Sequence, residues 1–350
     1  MLAFVYNNNG KLSLEQMPLP KAKPDSAVIK VDAASICGTD LRTFRFGSSK
    51  IKPPRIIGHE VVGTFVDVGG NVKNFKTDDR VQVAPALGCG NCRYCKGGYT
   101  NLCGSLKTIG FEFDGAFAEY MEVPAETFIQ HNVTKVPDNL SSLEATLAEP
   151  IACVINAQSY LNIGKGDTVA VFGSGFIGIM HAALAFQKGV EKVFMIEVNE
   201  ECIKLAKKIL PDIITINSAK ESLKDVIAEN TGNIGVDVAI TSCSVGAAQT
   251  DAINIIAKRG RISLFGGLPA EATGFIDSNI IHYKEVTVHG AHGSTAVQNR
   301  KALDILSSGK LPVKEFINNP FPLKDIHKTF DALNRGEVIK AILQPGMGVQ

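Results

Sequence analysis

Cys89, Cys92, Cys95 and Cys103 are spaced C-x2-C-x2-C-x7-C, with Gly88, Gly90, Gly97 and Gly98 among them. Thiols at this spacing can ionise and close a tetrahedron on Zn2+, and the glycines let the backbone turn tightly enough to aim them. Four protein sulfurs leave no open position, so the knot is predicted to be a structural staple and the chemistry must lie elsewhere. A second set of metal-capable residues is scattered along the chain. It comprises Cys37 in Ser35-Ile36-Cys37-Gly38-Thr39-Asp40, the pair His59-Glu60 after Gly58, and Glu149 in Ala148-Glu149-Pro150. A thiolate, an imidazole and a carboxylate suit Zn2+. Only folding can assemble them, and each has an ordinary reading as well. A cysteine serves as a small core residue, a histidine is satisfied locally, and an acid before proline faces water.

Gly173-Ser174-Gly175-Phe176-Ile177-Gly178 fits G-x-G-x-x-G. In a chain with 33 glycines the pattern alone is weak. Its context strengthens it, because a β-branched run precedes it, a helix-like run follows, and the acid Glu197 ends the next strand. Gly173 would allow the turn, Gly175 would admit a pyrophosphate, and Gly178 would let the helix approach the sheet. The helix N-terminus, opening on Phe176 and Ile177, offers free N–H groups. Glu197 can accept both ribose hydroxyls of an adenosine and would repel a 2′-phosphate. The pattern therefore predicts NAD in preference to NADP.

The elements that must position these residues fall into two styles. Through residue 150 the chain reads as short strands, at Val28–Ala33, Val61–Val68, Arg80–Ala84 and Ala116–Val123, separated by turn signals. Such a region predicts a small barrel or sandwich with the cysteine lobe protruding. From Gly166 onward apolar strands alternate with amphipathic helices. The strands are Thr168–Phe172, Lys192–Glu197, Ile213–Ile216, Val236–Thr241, Arg261–Phe265 and Val286–His289. The helices are Phe176–Lys188, Glu200–Leu210, Leu223–Glu229 and Ala247–Ala257. Strict alternation predicts a doubly wound parallel sheet, so the fold class is α/β. We expect a β-rich catalytic domain over 1–150, a dinucleotide domain over 151–290, and a segment over 291–350 returning to the first.

At 350 residues with 45% hydrophobic and 20% charged content, the composition is that of a globular chain. A net charge of +1 gives no reason to expect nucleic acid or an anionic membrane as partner. Thr168 to Gln187 holds no charged residue, yet its glycines and β-branched start favour a buried strand and helix over a membrane span. No secretory signal opens the chain, and clustered thiols without one predict a reducing cytoplasm.

Cys37-Gly38-Thr39-Asp40, Gly58-His59-Glu60, the cysteine lobe, Glu149-Pro150 and Gly173–Gly178 stand in this order and at these intervals. In that respect the whole chain resembles the zinc-dependent medium-chain alcohol and polyol dehydrogenases. The resemblance implies a GroES-like catalytic domain carrying two zincs, a Rossmann coenzyme domain, and an active-site cleft between them. It implies that Cys37 and His59 bind catalytic zinc, and that Glu60 either ligates it or alternates with Glu149 and water. Thr39 would start a proton relay. Glu149 stands where ethanol-oxidising relatives have cysteine and where sorbitol and threonine dehydrogenases have glutamate. The implied reaction moves hydride from a secondary alcohol of a small-molecule polyol, or its phosphate, to NAD+, giving a ketose. L-threonine 3-dehydrogenase or another diol dehydrogenase is the alternative within the family. By analogy the protein would be a homo-oligomer, a tetramer.

Two departures bear on the substrate. Arg42 stands where many relatives have a relay histidine, and His289-Gly290-Ala291-His292 replaces the Arg-Tyr pair of sorbitol dehydrogenases. Arg42 and Arg45 could meet a phosphate or simply face solvent. A different class, a zinc-ribbon binding protein with a redox-sensing Rossmann domain, is disfavoured. Only Arg93, Lys96 and Lys107 lie near the knot as cations.

Overall fold

The computed structural model describes residues 1–269 and 272–348. The final two positions of the expected 291–350 segment lie outside the described residues. The chain forms two compact units, Met1–Ala152 with Gly293–Gln350, and Cys153–His292.

In the first unit Ala27–Ser35 is the central strand, because its residues are apolar on both faces apart from Lys30, Asp32 and the terminal Ser35. It pairs antiparallel with Glu60–Val68, with Tyr120–Val123 and with the C-terminal strand Ile342–Gln344. Arg80–Val83 and Val133–Lys135 extend the sheet beyond Glu60–Val68. A smaller sheet joins Leu2–Tyr6, Leu12–Gln16 and Arg55–Ile56. Phe4, Ile29, Phe65, Met121 and Phe117 fill the core between them, and Phe330 of the returning segment completes it. Burying such side chains stabilises the unit by roughly 1.5–3 kcal/mol each.

The second unit carries a six-stranded parallel sheet. Its order is Ile214–Asn217, Lys192–Glu197, Thr168–Phe172, Val236–Thr241, Ile256–Leu264, Thr287–Gly290. The first strand in sequence thus lies third in space, and the order reverses beside it, which is the doubly wound arrangement whose switch point receives ligands. The uncharged stretch resolves into the strand Thr168–Phe172 and the helix Phe176–Gln187. That helix is buried over most of its surface, as an all-apolar helix must be. Among the described residues no helix is long and apolar enough to cross a membrane.

Several elements depart from the sequence reading. Gly38–Phe46 is a helix not foreseen, and a further helix, Ala148–Ser159, carries Glu149 in its first turn. The strand expected at Ala116–Val123 is regular only over Tyr120–Val123. Ala116 and Phe117 instead donate to Gly58 and Ile57 carbonyls, locking the loop in front of His59.

Candidate active site and metal centres

The cysteine lobe is built by backbone turns. The short helix Arg93–Lys96 starts at Cys92, and a 3-10 turn over Thr100–Leu102 delivers Cys103. All four sulfurs lie within 4.8 Å of one another. Zinc–sulfur bonds of about 2.3 Å in a tetrahedron set neighbouring sulfurs about 3.8 Å apart. Cys92 Sγ stands 3.5 Å from Cys95 Sγ and 3.9 Å from Cys103 Sγ. Backbone N–H groups of Cys89 and Ser105 donate to Cys103 Sγ at 3.3 and 3.4 Å, as expected around thiolates. N–H groups of Asn91 and Cys92 draw the Cys89 thiol down to about 6, whereas burial pushes Cys95 up to about 12. The set fits a structural zinc.

The second cluster joins Cys37, His59 and Glu60, whose ligand atoms also lie within 4.8 Å of one another. Cys37 is the N-cap of the helix Gly38–Phe46, so its sulfur stands where the strand Ala27–Ser35 gives way to the helix. Gly58 precedes His59 at φ +96°, and a Cβ there would fall 2.4 Å from Phe117 Cδ1, so only glycine permits this approach. Glu60 begins the next strand and is 1% exposed. Glu149 is buried but falls outside the three-residue set. The loop before it is nonetheless tied in, since Thr146 Oγ1 donates to the Glu60 carbonyl at 3.1 Å. Thr39 is half-buried in the first turn of its helix, and Arg42 and Arg45 are exposed on it.

Three participants escaped the sequence reading. Asp40 Oδ1 lies 3.4 Å from His59 Nδ1, while its other oxygen accepts the Cys37 N–H at 2.9 Å. The 3.4 Å contact is too long and poorly aligned for a full hydrogen bond, but it directs Nδ1 to a carboxylate, the usual outer partner of a metal-binding histidine. Burial opposes charge on His59, yet Asp40 and then Cys37 outweigh it and raise the ring's pKa well above the ordinary value. The pocket is thus set for a cation. Ser35 and Lys340 both donate to Glu60 Oε2. Asp40 was legible in principle, because an acid three residues after a helix cap is a capping signal. Lys340 had no local signal.

The residues read from the sequence as coenzyme-binding gather at the switch point. The strand Thr168–Phe172 ends at Gly173, and Gly175 caps the helix Phe176–Gln187. A Cβ on Gly178 would fall 1.9 Å from the Gly173 carbonyl oxygen, whereas one on Gly175 would meet nothing within 4 Å. The helix therefore presses on the loop at Gly178, while at Gly175 the backbone offers an open face to a pyrophosphate. Phe176 is buried and Ile177 half-buried in the first turn. Glu197 Oε2 accepts from Ser174 N and Oγ at 3.0 and 3.1 Å, and Oε1 accepts from Val198 and Asn199 N–H at 2.8 and 3.1 Å. Burial raises this carboxyl, but those N–H donors outweigh it and hold it below the usual range. The charge is kept in place at the strand end.

Residues 23–138 match the model of the alcohol dehydrogenase GroES-like domain, and residues 177–308 that of the zinc-binding dehydrogenases. The chain belongs to the zinc-binding alcohol dehydrogenase family. L-threonine 3-dehydrogenase of Bacillus velezensis is 32% identical over 99% of both chains. A Sinorhizobium meliloti 1021 protein described as a zinc-binding dehydrogenase, bound to NADP, superposes with a TM-score of 0.90 at 27% identity, covering 98% of this chain and 99% of that one. The 2R,3R-butanediol dehydrogenase of Bacillus subtilis gives 0.89 at 28%, covering 99% of each. The chain is accordingly a zinc-containing, nicotinamide-dependent dehydrogenase of the alcohol and polyol type with GroES-like and Rossmann domains.

Proposed function

We propose that this dehydrogenase oxidises a secondary alcohol of a polyol, a sorbitol- or iditol-like sugar alcohol or its phosphate, to the ketose, with NAD+ as acceptor. The observation that carries the reading is the convergence of Cys37, His59 and Glu60. A mixed thiolate, imidazole and carboxylate set with three protein ligands is the composition of a catalytic zinc site and leaves a position for substrate. Zinc bound there would supply Lewis acidity, lowering the pKa of an alcohol near neutrality. The chain's own groups have separable tasks. Cys37, His59 and Glu60 would hold the ion, and Glu149, three residues beyond Thr146, would alternate with Glu60 as its ligand. Thr39 receives the hydroxyl proton and passes it toward solvent. A nicotinamide coenzyme held at Gly173–Gly178 and Glu197 would supply the hydride acceptor, so that alcohol and NAD+ would give ketone, NADH and a proton. Glu197, charged and fixed by four donors, favours the unphosphorylated ribose of NAD.

L-threonine 3-dehydrogenase is the second reading, supported by near-full-length relatives of that name at 32–33% identity. An NAD+ reduction screen over sorbitol, xylitol, galactitol, their phosphates, L-threonine and 2,3-butanediol separates the two. Fastest turnover on a polyol is expected. Turnover on L-threonine with none on any polyol would replace the first reading with the second. Cys37→Ser is expected to abolish turnover while NADH still binds, and retained turnover would reject the cluster as the catalytic centre.

A further inference from the structure

The two oxygens of the Glu60 carboxylate are treated unequally. Oε2 accepts from the Ser35 hydroxyl and from the Lys340 ammonium, which also donates to the Ile36 carbonyl at 3.0 Å. Oε1 is buried and has no hydrogen-bond donor among the described residues. A bare carboxylate oxygen out of water is costly, and a cation is the partner that removes the cost most completely. A Glu60 oxygen, Cys37 Sγ and a His59 ring nitrogen already converge. Lys340 is itself 8% exposed and arrives from the returning C-terminal segment, so its aim is set by the fold.

We propose that Lys340, assisted by Ser35, is a positioning residue that occupies Oε2 of Glu60 and so restricts this ligand to one-point attachment through Oε1. The proposal rests on the reading of the Cys37–His59–Glu60 cluster as a metal centre. A carboxylate held at one oxygen by an ammonium is a weaker donor than a free one. It cannot close on the ion with both oxygens, and it yields its place to an incoming substrate oxygen more readily. The site is therefore flanked by two charges of opposite sign. Asp40 stands behind His59 and strengthens the ligand set toward a dication. Lys340 stands behind Glu60 and weakens it. Removing each charge has an opposite effect on metal retention, which a simple packing role for Lys340 does not produce.

The test uses the full-length, zinc-loaded protein and its cobalt-substituted form. Release of metal to a chelator is followed in wild type, Lys340→Met, Lys340→Arg and Asp40→Asn, with metal counted per chain so that the cysteine knot is scored separately. Lys340→Met is expected to release the centre's metal about tenfold more slowly and to lose about tenfold in turnover, the low end of typical outer-partner effects. Its cobalt d–d bands should weaken as the second carboxylate oxygen joins the coordination. Asp40→Asn should release metal faster, and Lys340→Arg, which keeps charge and donors, should recover turnover. Faster release from Lys340→Met, or a cobalt spectrum identical to wild type, would overturn the proposal. If Lys340→Met does not fold, Ser35→Ala removes one donor to Oε2 and must slow release in the same direction, and an unchanged rate overturns the proposal. A wild-type chain binding one metal would instead remove the metal-centre reading, and the positioning role with it.

Discussion

His181 makes the coenzyme unit acid-sensitive by a predictable amount. It lies in the helix Phe176–Gln187, is 0% exposed, and packs edge-on against Phe265 with ring centroids 5.0 Å apart. Gln158 Nε2 donates to the His181 carbonyl at 2.8 Å, and among the described residues the ring Nε2 has no hydrogen-bond partner. Burial, with a smaller contribution from the Lys188 charge, pulls the ring down to about 3. In the unfolded chain it titrates near 6.5. The folded pKa is the lower one, so the unfolded state takes the proton first as pH falls. The contribution of His181 to stability is whole above about pH 6.5, declines by about 1.4 kcal/mol per unit below it, and levels off near pH 3. Between pH 7 and pH 5 the loss is about 2 kcal/mol, roughly a 25-fold change in the opening equilibrium. Hydrogen exchange of the 176–187 amides measures that opening directly, without assuming that two units unfold together. His181→Leu should differ from wild type in baseline stability but lack this pH-dependent increment. Equal pH 7 to pH 5 losses in both proteins would refute the reasoning, as would a His181 ring resonance titrating near 6.5. Because the same helix begins at Gly175, NADH affinity should weaken in parallel with the opening.

Three more outcomes follow from the sites. Glu197→Gln keeps the shape and removes the charge, so KM for NAD+ should rise about tenfold and discrimination against NADP+ should shrink, by steady-state kinetics with both coenzymes. Gly178→Ala forces a methyl into the Gly173 carbonyl, so NADH binding measured by fluorescence should weaken about tenfold or more while metal content stays unchanged. Cys103→Ser removes a buried ligand of the knot, so metal content should fall by one per chain and the lobe should become the first site cut by a protease.

Much of the second unit was legible because its strands are buried on both faces. Thr168–Phe172, Lys192–Glu197 and Val236–Thr241 are mainly apolar or β-branched runs, interrupted within only by Asp237, and their observed limits are those of the pattern. The helix read as Ala247–Ala257 ends at Asn254, and Ile256 already belongs to the following strand. A helix and a buried strand abutting without punctuation offer no change of composition to mark the junction. The helix Gly38–Phe46 was hidden for another reason. Its apolar positions are few, and it opens on a cysteine, which is not a recognised cap. At the candidate metal centre the motif Gly58-His59-Glu60 named two of the converging residues, but Lys340, one of the two donors to Glu60, lies 280 residues away. No window of local sequence contains that pair.

The strand Ile342–Gln344 lies against Ala27–Ser35, and Lys340, two residues before it, supplies the ammonium beside Glu60. On the ribosome, the coenzyme sheet can therefore form while the first unit still waits for its last strand. Completion of the Cys37–His59–Glu60 cluster waits until residues 340–344 have left the ribosome. A nascent polypeptide stalled short of residue 340 would own a finished dinucleotide fold and an unfinished oxidation site.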